Sequence, residues 1–152
     1  MPVIATPTNA TSTNVDNLRL FMRDYYDKNP LHADVEFVDT ELTTALDNAI
    51  NHANIIDRPT TWTVTTFPNE YVLMLGAASH LTKSESIRQL RNQSQYQDGN
   101  IQSVGMDEKH GAYLQLSQVL SQEFTSHIKS MKISDNLGIR GFKSPLARSL
   151  IR

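Results

Sequence analysis

The segment PNEYVLMLGAASHL, from Pro68 to Leu81, decides how this chain folds. Tyr71, Val72, Leu73, Met74, Leu75, Ala77, Ala78 and Leu81 put apolar groups on every side of a helix, and a helix of that kind is enclosed by other elements. It falls well short of the roughly 20 apolar residues a membrane span needs, and His80 and Lys83 close it off. The expected role is the central helix of a small bundle. Gly76, in its middle, costs about 1 kcal/mol relative to alanine in an exposed helix. It therefore points either to a second backbone approaching closely or to a glycine tolerated in the core.

Upstream of this segment, TTWTVTTF (60–67) alternates Trp62 and Val64 with threonines, the composition of a short strand or extended connector. Phe67 then stands as a hydrophobic staple before Pro68. Before that, FVDTELTTALDNAINHAN reads as a helix capped by Asp39, with Leu42, Ala45, Leu46, Ala49, Ile50 and Ala53 on one face and Arg58-Pro59 closing it. LHADVEFV (31–38) reads as extended. A first helix is expected from Asp16 to Lys28, with Leu18, Phe21, Met22 and Tyr25 at helical spacing and Asn29-Pro30 as its stop. Residues 1–14 are small and polar with Pro2 and Pro7, too poor in apolar area to offset ordering entropy, and are expected to form a flexible arm.

Downstream, Thr82 and Glu85 have capping-box spacing, so the central helix either breaks near Lys83 and restarts or continues to about Gln95. Asp98-Gly99 is a turn signal. With Tyr96, Asn100 and Ile101 around it, it predicts a small hairpin or protruding loop. A last helix is expected from Asp107 to Met131, with Tyr113, Leu116, Leu120, Phe124, Ile128 and Met131 in one stripe. After Lys132 the period stops. Leu137, Ile139, Phe142, Leu146 and Leu150 then stand singly among Arg140, Lys143, Arg148 and Arg152, anchors without a core of their own. The expected architecture is mainly α: a bundle of about four helices over 15–132 with a short strand or hairpin element, an N-terminal arm (1–14) and an extended basic C-terminal docking tail (133–152).

A chain of 152 residues makes one domain able to bury a core. With no cysteine, disulfides, thiolate metal sites and cysteine nucleophiles are all excluded, in keeping with assembly in a reducing cytoplasm. MPVIATPTNATSTN carries no basic residue, so no secretory signal is expected. The formal net charge of −2 argues against a whole-surface nucleic-acid binder. Its layout is more informative. Between Asp24 and Asp57 the acids Asp24, Asp27, Asp34, Glu36, Asp39, Glu41, Asp47 and Asp57 face only Lys28, whereas the tail sets four basic residues against Asp135. Such polarity steers head-to-tail contacts between subunits, although two ordinary solvated faces would read the same way.

No catalytic motif stands in the chain. His32, His52, His80, His110 and His127 are scattered, and Glu123 and His127, four apart, form a common surface pair. There is neither a glycine-rich phosphate loop nor a nucleophile elbow. No enzyme activity, cofactor or metal is expected.

The order of features, LRLFMRDYY, then FVDTELTTALDNAINHAN, then FPNEYVLMLGAASHL followed by RNQSQYQDGNIQS, and finally a long helix with a basic C-terminus, resembles the head-to-tail connector adaptors (neck proteins) of tailed bacteriophages. The resemblance covers about Leu18 to Arg152. It implies a virion protein, assembled in the host cytoplasm, that forms a ring of typically twelve copies beneath the portal around a channel for DNA. It further implies portal docking through Leu137, Ile139, Arg140, Phe142, Lys143, Leu146, Arg148, Leu150 and Arg152. Tyr96, Asp98, Gly99, Asn100 and Ile101 would then face the channel or the next neck or tail protein. LHADVEFV does not fit this pattern. Alternatives are another neck or tail-completion ring protein and a small helical DNA-binding or packaging protein, the latter marked by a steep salt dependence.

Overall fold

The computed structural model describes residues 12–25, 35–92 and 109–141. Within them are four α-helices: α1 Ser12–Met22, α2 Asp39–Ile55, α3 Glu70–Asn92 and α4 Lys109–Gly141. The small mainly-α bundle is as expected, and no strand occurs among the described residues. α3 is the shared neighbour of α1, α2 and α4. Its residues Val72 to Ser79 are all buried, which is the enclosure that the all-round apolar pattern demands.

Two apolar clusters flank α3. On one side Val15 and Leu18 of α1, Leu42, Leu46 and Ile50 of α2, and Leu73 and Met74 of α3 pack together. On the other, Val72 and Leu75 meet Phe124 and Ile128 of α4. The predicted face of α2 is buried in full. Phe67 touches both clusters and meets Trp62 edge-on at 5.4 Å, so it packs more widely than a local staple.

Helices α2, α3 and α4 meet at Gly76. A Cβ there would lie 2.6 Å from Cε2 of Phe124 and 2.9 Å from Cβ of Ala49. The close neighbour is thus an aromatic ring and a methyl group rather than a second backbone. One turn on, Ser117 Oγ donates to the Ser79 carbonyl at 3.0 Å across the α3–α4 contact. Ser117 is buried and Leu116 exposed, the reverse of the expected stripe. A bulky residue does not fit where two helices touch through serines, so the buried stripe of α4 shifts by one residue there.

Several boundaries differ from expectation, each for a local reason. α1 begins four residues early, within the presumed arm, because Val15 packs beneath it. It ends at Met22 with Arg23 at φ 58°, Asp24 N donating to Arg19 O and Arg23 N to Leu20 O, which is a Schellman stop. Among the described side chains of α1, Val15 and Leu18 are buried, while Phe21 lies exposed against Tyr71. At α2 the capping acid is Glu41, whose carboxylate accepts the Val38 N–H at 3.0 Å, and Asp39 is the first helical residue. α3 runs unbroken, with Thr82 Oγ1 turned back onto the Ala78 carbonyl and Glu85 buried beside Arg88 instead of forming a new cap.

TTWTVTTF is a turn-bearing connector. A lone extended segment has no ladder partner, and here the Asn54 side chain takes that role: Oδ1 accepts from Trp62 N (2.9 Å) and Thr60 Oγ1 (2.8 Å), and Nδ2 donates to Trp62 O (2.9 Å). Thr63 and Thr66 close a turn on each other. α4 continues ten residues past Met131, so 133–141 is helical where an extended tail was expected. At 1.5 Å per residue α4 spans about 50 Å.

The two glycines whose surroundings are described test this packing with one substitution. Gly76→Ala is expected to lower unfolding stability by about 1–3 kcal/mol through overpacking. Gly111→Ala, with nothing within 4 Å of its Cβ, is expected to raise stability by up to about 1 kcal/mol through helix propensity. Urea midpoints of the two variants should therefore move in opposite directions.

Candidate interaction site

Lys132, taken from sequence as the point where the last helix runs out, is a buried charge held by backbone carbonyls. Its side chain is 4% exposed. Nζ donates to the carbonyls of Ala53 (2.6 Å), Ile56 (2.6 Å) and Arg58 (2.7 Å) and lies 5.2 Å from the centroid of the Trp62 ring. These carbonyls belong to the carboxyl end of α2 and the turn after it, where the helix dipole favours a cation and the last C=O groups lack intrahelical partners. Burial pushes the ammonium below the usual lysine range, and Asp57, at φ 56° in that turn, acts in the opposite sense. Nearby, Arg58 Nη1 donates to Asn136 Oδ1 at 3.1 Å. The start of the presumed tail is therefore fixed to α2 by a polar clamp. Sequence spacing could not reveal this, because the partners are backbone carbonyls more than 70 residues away.

A second polar node joins α1 to α2. The buried Asp24 carboxylate accepts the backbone N–H groups of Glu36 (2.7 Å) and Phe37 (2.9 Å) and pairs with Arg19 Nη1 at 3.1 Å. Arg19 Nη2 reaches the Phe37 carbonyl and, at 2.6 Å, Asp39. Part of the acidic field inferred from sequence is thus engaged in holding the bundle together. Arg19, five residues before the first of those acids, is the partner that the charge count omitted.

Between α2 and α3 opens a groove of about 300 Å³. Phe37, Ala45 and Leu81 give it apolar surface, and Glu36, Glu41, Glu85 and Arg88 give it charge. Three carboxylates against one guanidinium leave its lining side chains at a formal −2. On α4, Tyr113 faces the same end of the bundle, its phenol raised by burial and then by the carboxylates of Glu36 and Glu85. His80, at the inner end of the groove, lies 5.9 Å from the His52 ring, and His52 lies 5.6 Å from Phe124. Nε2 of His80 is buried without a hydrogen-bond partner. Burial, then the nearby His52 and Lys83, hold the His80 imidazole below its ordinary range and thus neutral.

Of the docking residues expected from sequence, Leu137, Ile139 and Arg140 fall in the last turns of α4. Phe142, Lys143, Leu146, Arg148, Leu150 and Arg152 lie outside the described residues, as do Tyr96, Asp98, Gly99, Asn100 and Ile101. Glu123 and His127 stand 3.7 Å apart on the exposed face of α4. No group of three potential metal ligands occurs among the described residues. Exposed apolar side chains are spread over the bundle: Leu20 and Phe21 on α1, Val38 and Ile55 at the two ends of α2, Tyr71, Ile87 and Leu90 on α3, and Leu114, Leu116, Val119 and Ile133 along α4. Comparison with protein-family models, curated proteins and solved structures gave no match.

Two measurements test these sites. Lys132→Met removes the cation and strands buried carbonyls, so it is expected to cost about 3–5 kcal/mol in denaturant unfolding. For His80 the unfolded chain takes up a proton near the ordinary imidazole value of 6.5, which the folded protein resists. Stability should therefore fall as pH drops through 6.5, and His80→Gln should flatten that part of the pH–stability curve.

Proposed function

We propose that this chain is a non-enzymatic structural subunit of the head-to-tail connector of a tailed bacteriophage, forming an adaptor ring that docks on the portal through its C-terminal strip and offers a platform to the next neck or tail protein. The observation that carries the reading is the clamped long helix. α4 is fixed at Lys132 and continues nine residues to Gly141. It leads directly into FKSPLARSLIR, which holds Lys143, Arg148 and Arg152 and no acid. A strip mounted on an anchored helix reaches a neighbouring ring from a defined direction.

Exposed apolar side chains on several helices, among them Phe21 on α1, Ile87 and Leu90 on α3 and Leu116 and Val119 on α4, are compatible with a ring of identical copies. A heterologous interface needs two different surfaces on each subunit, and it closes into a ring when the rotation allows. In such an assembly DNA passes through the channel without sequence-specific contact, the protein belongs to the virion, and the ring is twelvefold.

Deleting residues 142–152, which keeps the Lys132 clamp, is expected to leave the urea midpoint of the bundle unchanged and to abolish co-sedimentation with portal rings. Undiminished attachment of the shortened protein would refute portal docking by this strip. Duplex DNA binding that weakens steeply with added salt would instead favour the packaging-protein reading.

A further inference from the structure

The groove between α2 and α3 and the clamp at Lys132 lie at opposite ends of the bundle. Ala49 meets α3 at Gly76, Phe124 meets it at the same residue, and Ser117 meets it at Ser79, so α4 runs antiparallel to α3. The groove is lined by the α3 residues from His80 to Arg88, at and beyond the level of Ser117. From Ser117 to Gly141 the helix rises by about 36 Å, away from the groove. Even fully extended, the chain from Gly141 to Arg148 covers only about 25 Å. Arg148 and everything before it therefore cannot enter the groove of its own subunit, whatever path the segment takes.

The groove and this segment nevertheless complement each other. Within the lining Arg88 pairs with Glu85, so Glu36 and Glu41 supply the formal −2, beside the apolar surface of Phe37, Ala45 and Leu81, and residues 142–152 carry three basic side chains, no acid, and Phe142, Leu146, Leu150 and Ile151 among them. At about 300 Å³ the groove lies at the small end of the range for binding pockets. It takes a few side chains of a strip, such as Leu146 with Arg148, rather than the whole strip. We propose that the C-terminal segment 142–152 of one copy lies in the α2–α3 groove of a second copy. The contact joins the clamped end of one subunit to the open end of the next. It is heterologous, and it propagates into a ring or a filament. The inference does not rest on the portal reading. If both hold, the portal must displace the segment from the neighbouring subunit, which makes exposure of the docking strip a consequence of meeting the portal.

Because the protein has no cysteine, single cysteines report this contact without background. The test mixes full-length Thr44→Cys, on the groove wall, with full-length Ser149→Cys, which keeps every tail charge, and oxidises the mixture in the absence of portal. The expected result is a disulfide-linked heterodimer whose yield drops in high salt. It should be lost when Lys143, Arg148 and Arg152 of the tail donor are all replaced by glutamate. Three results would overturn the proposal: no heterodimer, an undiminished yield with the reversed charges, or a chain carrying both cysteines that closes on itself at high dilution. Portal attachment is read in a separate assay, so failure of one proposal does not imply failure of the other.

Discussion

Everything in this bundle is arranged around the contact at Gly76, where the Phe124 ring and the Ala49 methyl fill the space a side chain would need. α3 lies against both α2 and α4 at one level, and only a residue without Cβ lets both neighbours approach together. The consequences spread along the helices. The α3–α4 seam continues through Ser79 and Ser117, which bond across it, and Leu116 is turned outward as a result. His52 and His80 lie beside the same contact, one against Phe124 and the other with a buried, unpartnered nitrogen. This close contact thus adjoins an imidazole that burial holds below its ordinary range.

Polar side chains do the work that short loops leave undone. Asn54 supplies the connector before α3 with the hydrogen bonds a neighbouring strand would give. Asp24 and Arg19 gather the end of α1, the backbone at Phe37 and the first residue of α2 into one node. Lys132 closes the far end of α2 from a different helix. Each of these groups is buried or half-buried and satisfied, which is the condition under which such groups specify one arrangement instead of destabilising it. They also divide the molecule functionally. One end is closed and anchors α4, and the other holds an open groove with an acidic lining.

The charge pattern looks different once these contacts are known. Asp24, Asp39 and Glu41 serve local purposes, as internal partner, ion-pair member and helix cap. From that stretch Glu36 and the capping Glu41 also line the groove, beside a Glu85 paired with Arg88, and the lining as a whole is opposed in sign to the segment after Gly141. Opposite fields at opposite ends of a subunit favour head-to-tail association and disfavour like-with-like contacts. This is the physical basis common to the proposed ring and to the seating of one copy's C-terminal segment in another.

The sequence by itself determined the helical class, the enclosure of the segment around Leu75, and the buried face of α2 from Leu42 to Ala53, because periodicity of apolar residues is a local property written along one chain segment. It also made the glycine in that segment conspicuous, though not what approaches it. The tertiary structure alone decided that TTWTVTTF has no strand partner, that α3 passes Lys83 without a break, that Leu116 gives way to Ser117, and that α4 outlasts its apolar period as far as Gly141. It alone joined Lys132 to carbonyls at Ala53, Ile56 and Arg58. Backbone acceptors carry no residue-type signal, and a cation at the end of a hydrophobic pattern reads as a boundary until the helix it caps has been brought beside it.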